Sequence, residues 1–202
     1  MTDQRSTDLA SNQHVVTIVS GLPRSGTSMM MKLLEAGGLP PVTDNIRTAD
    51  EDNPKGYYEF ERVKQLPKGD VAWLPEAQGK VVKVIAALLP HLPGGYHYRV
   101  VFMQRAMPEV LASQRQMLIR RGEDPDKIPD EVLARLFEKH LKQVNEWVSR
   151  QPHVERLEVN YNEMLKNPPP FIEQVNAFLG NQLDRGKMAS VVDPSLHRQR
   201  KM

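Results

Sequence analysis

The seven residues His14–Ser20 (HVVTIVS) are dominated by β-branched apolar side chains. They pass directly into Gly21-Leu22-Pro23-Arg24-Ser25-Gly26-Thr27-Ser28, after which Met29–Ala36 reads as a helix stopped by Gly37-Gly38. A strand with little polar alternation is buried on both faces, as strands of parallel sheets are. A buried strand that turns at once into a helix is the opening unit of an α/β fold. The turn between them has a chemistry of its own. Gly21 and Gly26 let backbone N–H groups curl around an anion, and the helix start adds unpaired amides and the positive end of its dipole. Ser25, Thr27 and Ser28 contribute hydroxyls, and Arg24 contributes a fixed charge with fork geometry. In an open α/β sheet such a turn lies beyond the carboxyl ends of the strands, where ligands bind.

The rest of the chain continues the alternation. Lys80–Ala86 (KVVKVIA) and Tyr98–Gln104 (YRVVFMQ) read as buried strands, and Val154–Tyr161 (VERLEVNY) as an alternating one. Helices are expected over about Pro108–Arg121, Asp130–Arg150 and Pro169–Leu179, the last closed by Gly180. Residues 39–56, rich in Pro, Asp and Asn, are expected to form a long loop, and Met29-Met30-Met31 to fill core space. The expected fold is therefore α/β, with a mainly parallel central sheet flanked by helices. A chain of 202 residues suits one domain, expected over residues 14–202 behind a polar, disordered arm at 1–13.

Composition removes several functions. The balance of 27 Lys and Arg against 25 Asp and Glu leaves a net charge of +2, which gives no general attraction for nucleic acid. With no Cys, disulfide frameworks, thiol catalysis, Fe–S clusters and Cys-ligated zinc are all excluded. No apolar run approaches the roughly 20 residues of a membrane span, and the polar N-terminus has no secretory apolar stretch. The expectation is a cytoplasmic protein with no membrane or nucleic-acid partner, and no His, Asp or Glu spacing suggests a metal site.

The loop keeps the glycine spacing of the phosphate-binding pattern GxxxxGK[ST], with Ser28 at the magnesium-binding hydroxyl position. Thr27, however, stands where that pattern needs Lys. The Lys bridges the outer phosphates of a nucleoside triphosphate, so its absence argues against ATP or GTP chemistry. The cation sits instead within the loop, at Arg24.

Three segments carry a family resemblance. Pro23-Arg24-Ser25-Gly26-Thr27-Ser28 resembles the 5′-phosphosulfate loop of sulfotransferases that use 3′-phosphoadenosine 5′-phosphosulfate (PAPS). Arg105 followed by Glu109-Val110-Leu111-Ala112-Ser113 resembles their 3′-phosphate segment, although Ala106-Met107-Pro108 replaces the common Asp-Pro after the Arg. Val159-Asn160-Tyr161-Asn162-Glu163-Met164-Leu165 resembles the strand-end Tyr and following helix that lie beside adenine. The resemblance as a whole spans about residues 15 to 180.

The resemblance implies a P-loop-like sulfotransferase fold and transfer of a sulfuryl group from PAPS to a hydroxyl or amine of a small-molecule or saccharide acceptor. It implies Arg24, Ser25, Gly26, Thr27, Ser28, Arg105, Ser113 and Tyr161 as cofactor-binding residues, and no metal. Arg24 would neutralise the phosphosulfate. Lys83 resembles the Lys of an Ile-Ile-Lys segment in cytosolic sulfotransferases. Read from its apolar strand, it either reaches the cleft from a strand end or is a structural, snorkelling Lys. Those enzymes carry a His two residues later, where this chain has Ile85. Asn53-Pro54-Lys55-Gly56-Tyr57-Tyr58-Glu59 resembles a Gly-aromatic-Glu turn leading into a helix in bacterial relatives, which makes Glu59 the expected general base and His91 the fallback. The other histidines, His140 among them, have no comparable position. The basic tail His197–Lys201 either covers the 3′-phosphate or is solvated. Two rivals remain: a P-loop nucleotide or small-molecule kinase, and a nucleotide-binding protein without catalysis.

Overall fold

A computed structural model describes residues 15–44, 46 and 58–192. The expected N-terminal arm, the basic tail and the Asn53–Tyr57 turn lie outside the described residues. Among those described, five strands form one sheet: β1 (Val15–Gly21), β2 (Pro41–Val42), β3 (Val81–Lys83), β4 (His97–Gln104) and β5 (Val154–Asn160), in the order β2-β3-β1-β4-β5. Every pairing is parallel. Strand β1 sits at the centre, and the chain leaves it first to one side and later to the other. Its carboxyl end is therefore the topological switch point, where the loops on either side part and open a crevice.

Among the described residues seven helices connect and cover the sheet: α1 (Thr27–Ala36), α2 (Leu74–Ala77), α3 (Met107–Arg120), α4 (Asp130–Val148), α5 (Tyr161–Lys166), α6 (Pro168–Phe178) and α7 (Arg185–Ser190). Because successive side chains of a strand point to opposite faces, the sheet has two cores. Val16, Ile18, Val82, Val100 and Phe102 pack with Trp73, Leu74, Leu89 and Val144 on one face. Val19, Val81, Val101, Met103 and Val159 pack with Met30, Met31, Leu34, Met164 and Met188 on the other. Met30 and Met31 are fully buried, as expected of core filler. The central strands thus read as continuous apolar runs because both faces are covered.

Two expectations change. The strand expected over Lys80–Ala86 shortens to Val81–Lys83, and a 3-10 helix occupies Ala86–His91. Strand β2 supplies partners only at Val81 and Val82, and the Ala-Ala-Leu-Leu stretch that follows favours a helical turn. Within the expected loop at 39–56, Pro41 and Val42 pair with β3, too short a contact for periodicity to disclose. A second 3-10 helix, Glu61–Lys68, together with α2, carries Val63, Leu66, Trp73 and Leu74 into the core. Among the described residues no helix is long and apolar enough to cross a membrane.

Candidate active site at the carboxyl edge of the sheet

Four strand ends deliver the residues singled out in the sequence. The loop after β1 turns on three left-handed positions, Gly21 (φ 147°), Arg24 (φ 68°) and Gly26 (φ 97°). A Cβ at Gly21 would lie 2.5 Å from Ser25 Oγ and 2.6 Å from the Met103 carbonyl oxygen, so only glycine passes there. A Cβ at Gly26 would lie 2.2 Å from the Tyr161 ring. Gly26→Ala combines that overlap with a disfavoured φ. It is expected to cost about 2–4 kcal/mol of stability, measured by chemical denaturation, and to disorder the loop.

Ser25 is buried, and its hydroxyl donates to the Leu22 carbonyl at 2.7 Å while its amide donates to the same oxygen at 3.2 Å. Both protons brace the loop rather than face the crevice. Thr27 opens α1 in a nearly buried position. Ser28, in the same first turn, accepts a hydrogen bond from Lys83 Nζ at 3.2 Å. Lys83 therefore reaches the loop after β1. It is the last residue of β3, level with Val19 of β1, and its amine is turned to the loop.

The second arginine, Arg105, follows β4 directly. Its Nε donates to Glu109 Oε2 at 3.0 Å and one terminal nitrogen donates to the Arg24 carbonyl at 3.0 Å. The Arg105 and Glu109 side chains are only 7% and 10% exposed, so this is a buried ion pair. Glu109 Oε1 also receives Asn162 Nδ2 at 2.7 Å. The Arg105 guanidinium stacks on the Tyr161 ring, 4.8 Å from its centroid, a cation–π contact made stronger by burial. Burial raises the pKa of the Tyr161 phenol; Arg105 lowers it, Glu109 raises it and Arg24 lowers it, with a net rise. The phenol therefore stays protonated.

Pro108 falls one place later than in the family pattern, and α3 starts at Met107. Ser113 nevertheless faces the loop, buried, and Arg24 Nε donates to its Oγ at 2.9 Å. Arg24 thus links the loop after β1 to the segment after β4, its carbonyl on Arg105 and its guanidinium on Ser113. Beside them a cavity of about 520 Å³ is lined by Leu22, Ser25, Arg105, Asn162 and Lys166 among others.

The general-base candidates stand further out. Glu59 is half-buried, and its carbonyl receives Thr43 Oγ1 at 3.0 Å and the Asp44 amide at 3.3 Å. Thr43 follows β2, whose Val42 pairs with Val82, so Glu59 is fastened to the same edge as Lys83. His91 ends the 3-10 helix at Ala86–His91 and is exposed.

Sequence reasoning missed Glu109 as the partner of Arg105. The signal was present in their four-residue separation at a helix start. Two arginines, a lysine and a helix N-terminus around one turn can hold a doubly anionic group and neutralise charge that develops on it. Among the described residues no group of three His, Asp or Glu could hold a metal ion.

A family model described as a sulfotransferase domain matches residues 16–201. Among solved structures, the sulfotransferase domain from the curacin biosynthetic pathway aligns with a TM-score of 0.52 at 14% identity, over 88% of this chain and 77% of that one. At that identity the likeness speaks for the fold. Retinol dehydratase in complex with androsterone and inactive cofactor PAP aligns with a TM-score of 0.45 at 15% identity, over 90% of this chain and 64% of that one. No curated protein matches.

Proposed function

We propose that this chain, which belongs to the sulfotransferase domain family, moves a sulfuryl group from PAPS to an acceptor hydroxyl or amine, leaving adenosine 3′,5′-bisphosphate (PAP). The observation that carries the reading is the bridge at Arg24. One residue joins the loop after β1 to Arg105 and Ser113 after β4. Two anion-binding segments joined in this way suit a nucleotide with charged groups at both its 5′ and 3′ positions.

In this reading the loop amides, the first turn of α1 and Arg24 hold the 5′-phosphosulfate, while Arg105 and Ser113 receive the 3′-phosphate. Tyr161 is buried under Gly26 and Arg105, so it acts on the nucleotide mainly by holding Arg105 in place. Lys83, level with the loop and bonded to Ser28, sits well for neutralising the charge that grows on the oxygen between sulfur and phosphorus as that bond breaks. An acceptor oxygen or nitrogen attacks sulfur from the opposite side, and a base takes its proton. Glu59, tied to the same edge, is a candidate for that base.

Lys83→Ala is expected to lower kcat about 100- to 1000-fold, the usual cost of removing one preorganised charge partner of a leaving oxygen, and to weaken PAP binding about tenfold, since PAP keeps that charge on its 5′-phosphate. Steady-state kinetics beside calorimetry separate the two effects. The function itself is tested by incubating the protein with sulfur-labelled PAPS and panels of alcohols, phenols, amines and saccharides. Label transfer with release of PAP is the expected result. Transfer to none of them, together with phosphate transfer from ATP–Mg²⁺, would contradict it.

A further inference from the structure

Strand β5 ends the sheet: among the described residues no strand lies beyond it in the order β2-β3-β1-β4-β5. Which of its backbone groups stay unpaired follows from the register. Tyr98 is level with Val154, and its amide donates to the His153 carbonyl at 2.9 Å. In a parallel ladder a residue bonds to the two neighbours of the one it is level with, so His153, Glu155, Leu157 and Val159 face β4. Val154, Arg156, Glu158 and Asn160 therefore turn their N–H and C=O groups to the outer edge. The Val154 amide is taken by the Gln151 carbonyl at 3.2 Å, whereas no backbone acceptor among the described residues meets the Arg156 and Glu158 amides. An edge of this kind is a template for another strand.

Proteins often blunt such an edge with charges of one sign. Here the two charged residues that face outward are of opposite sign and are separated only by Leu157. Their side chains lie on the α4 face of the sheet. The Arg156 guanidinium covers the Phe102 ring, 5.5 Å from its centroid, and donates to Asn145 and to Glu158. Glu158 remains 44% exposed. Leu157 points to the opposite face, half-buried against the core that contains Val159.

We propose that a second copy of this chain adds to this edge, with the two β5 strands antiparallel about a two-fold axis at Leu157. The order of charges selects the register. Pairing the outward-facing residues at the middle of the strand sets Arg156 against Arg156, Glu158 against Glu158, or Arg156 against Glu158. The first two hold like charges on residues whose Cα atoms are about 5.5 Å apart, which is destabilising. The third forms about Leu157, and the two-fold axis repeats it, so that cations and anions alternate across the interface. In that register the amide and carbonyl of Arg156 meet the carbonyl and amide of the same pairing residue in the second copy, while the two Leu157 side chains meet on the other face. The result is one sheet continued through two copies, an isologous and closed interface. This edge lies two strands from β1, so the pairing stands or falls separately from the sulfuryl-transfer reading.

Sedimentation equilibrium of the full chain tests the proposal, with amide hydrogen exchange as a second readout. A monomer–dimer equilibrium is expected, and the Arg156 and Glu158 amides should exchange more slowly as the dimer fills. Glu158→Arg sets arginine against arginine twice over and should weaken the dimer about 10- to 100-fold. Arg156→Glu/Glu158→Arg exchanges the signs within the same register and should return the dimer Kd to within about threefold of wild type. Arg156 also packs on Phe102, so the exchange readout on the wild-type protein keeps the test independent of how the variants fold. A chain that stays monomeric would overturn the proposal, and its edge would then be left for an extended segment of another protein. A dimer in which the Arg156 and Glu158 amides exchange as they do in the monomer would overturn it too. So would a dimer that Glu158→Arg leaves intact, or a folded double variant that dimerises no better than the single one.

Discussion

Arg105→Ala is expected to reduce both folding stability and nucleotide binding by large amounts. Removing the guanidinium takes from the buried Glu109 carboxylate the cation it is paired with, while the Asn162 amide still donates to it. Breaking a buried pair from one side costs about 3–5 kcal/mol, a fall in melting temperature on the order of 10 °C for a chain of this size. The cause can be isolated. The Arg105→Ala/Glu109→Gln double variant removes the stranded charge, while the new side-chain amide still offers Asn162 an oxygen. It should recover most of the lost stability and none of the PAP affinity. Recovery of both would mean that Arg105 serves the fold alone.

The second large effect is expected at Arg24. Its side chain is half-buried and its left-handed backbone is unstrained only for glycine, so Arg24→Ala removes the guanidinium without adding backbone strain. Each charge-assisted hydrogen bond lost to an anionic ligand is worth about 1.5–3 kcal/mol. PAP affinity should therefore fall about 10- to 100-fold, and kcat/KM for transfer further, because Arg24 also meets the negative charge that builds on the leaving 5′-phosphate oxygen in the transition state. Arg24→Lys retains the charge but loses the fork that reaches Ser113. It should sit between the two, closer to alanine in PAP affinity than in kcat. Calorimetry and steady-state kinetics on the three proteins check the order.

Much of this site is legible in the sequence because its backbone demands are severe. Gly21 and Gly26 stand where Ser25, Met103 and the Tyr161 ring leave no room for a Cβ, and an apolar strand running straight into that turn has few alternatives. The continuous burial of Val16–Gly21 in β1 and of Val100–Met103 in β4 likewise follows from a sheet covered on both faces. What the sequence leaves open depends on pairing across the sheet. Lys83 reads either as a strand-end lysine or as a structural one until the register sets it level with Val19 and brings its amine to Ser28. Strand β3 ends early because β2 offers it two partners, and a two-residue strand carries no periodic signal. Ser25 looks like a ligand-facing donor, but its hydroxyl closes the loop on Leu22.

The central claim is that Arg24, Arg105 and Ser113 form one site for a nucleotide charged at both ends. Parallel calorimetric titrations of the wild-type protein with PAP, 5′-AMP and ATP–Mg²⁺ test it most directly. PAP is expected to bind most tightly, 5′-AMP more weakly by what Arg105 and Ser113 contribute, and ATP–Mg²⁺ weakest, because Thr27 stands where a triphosphate needs lysine. Equal affinity for PAP and 5′-AMP, or tightest binding of ATP–Mg²⁺, would contradict it.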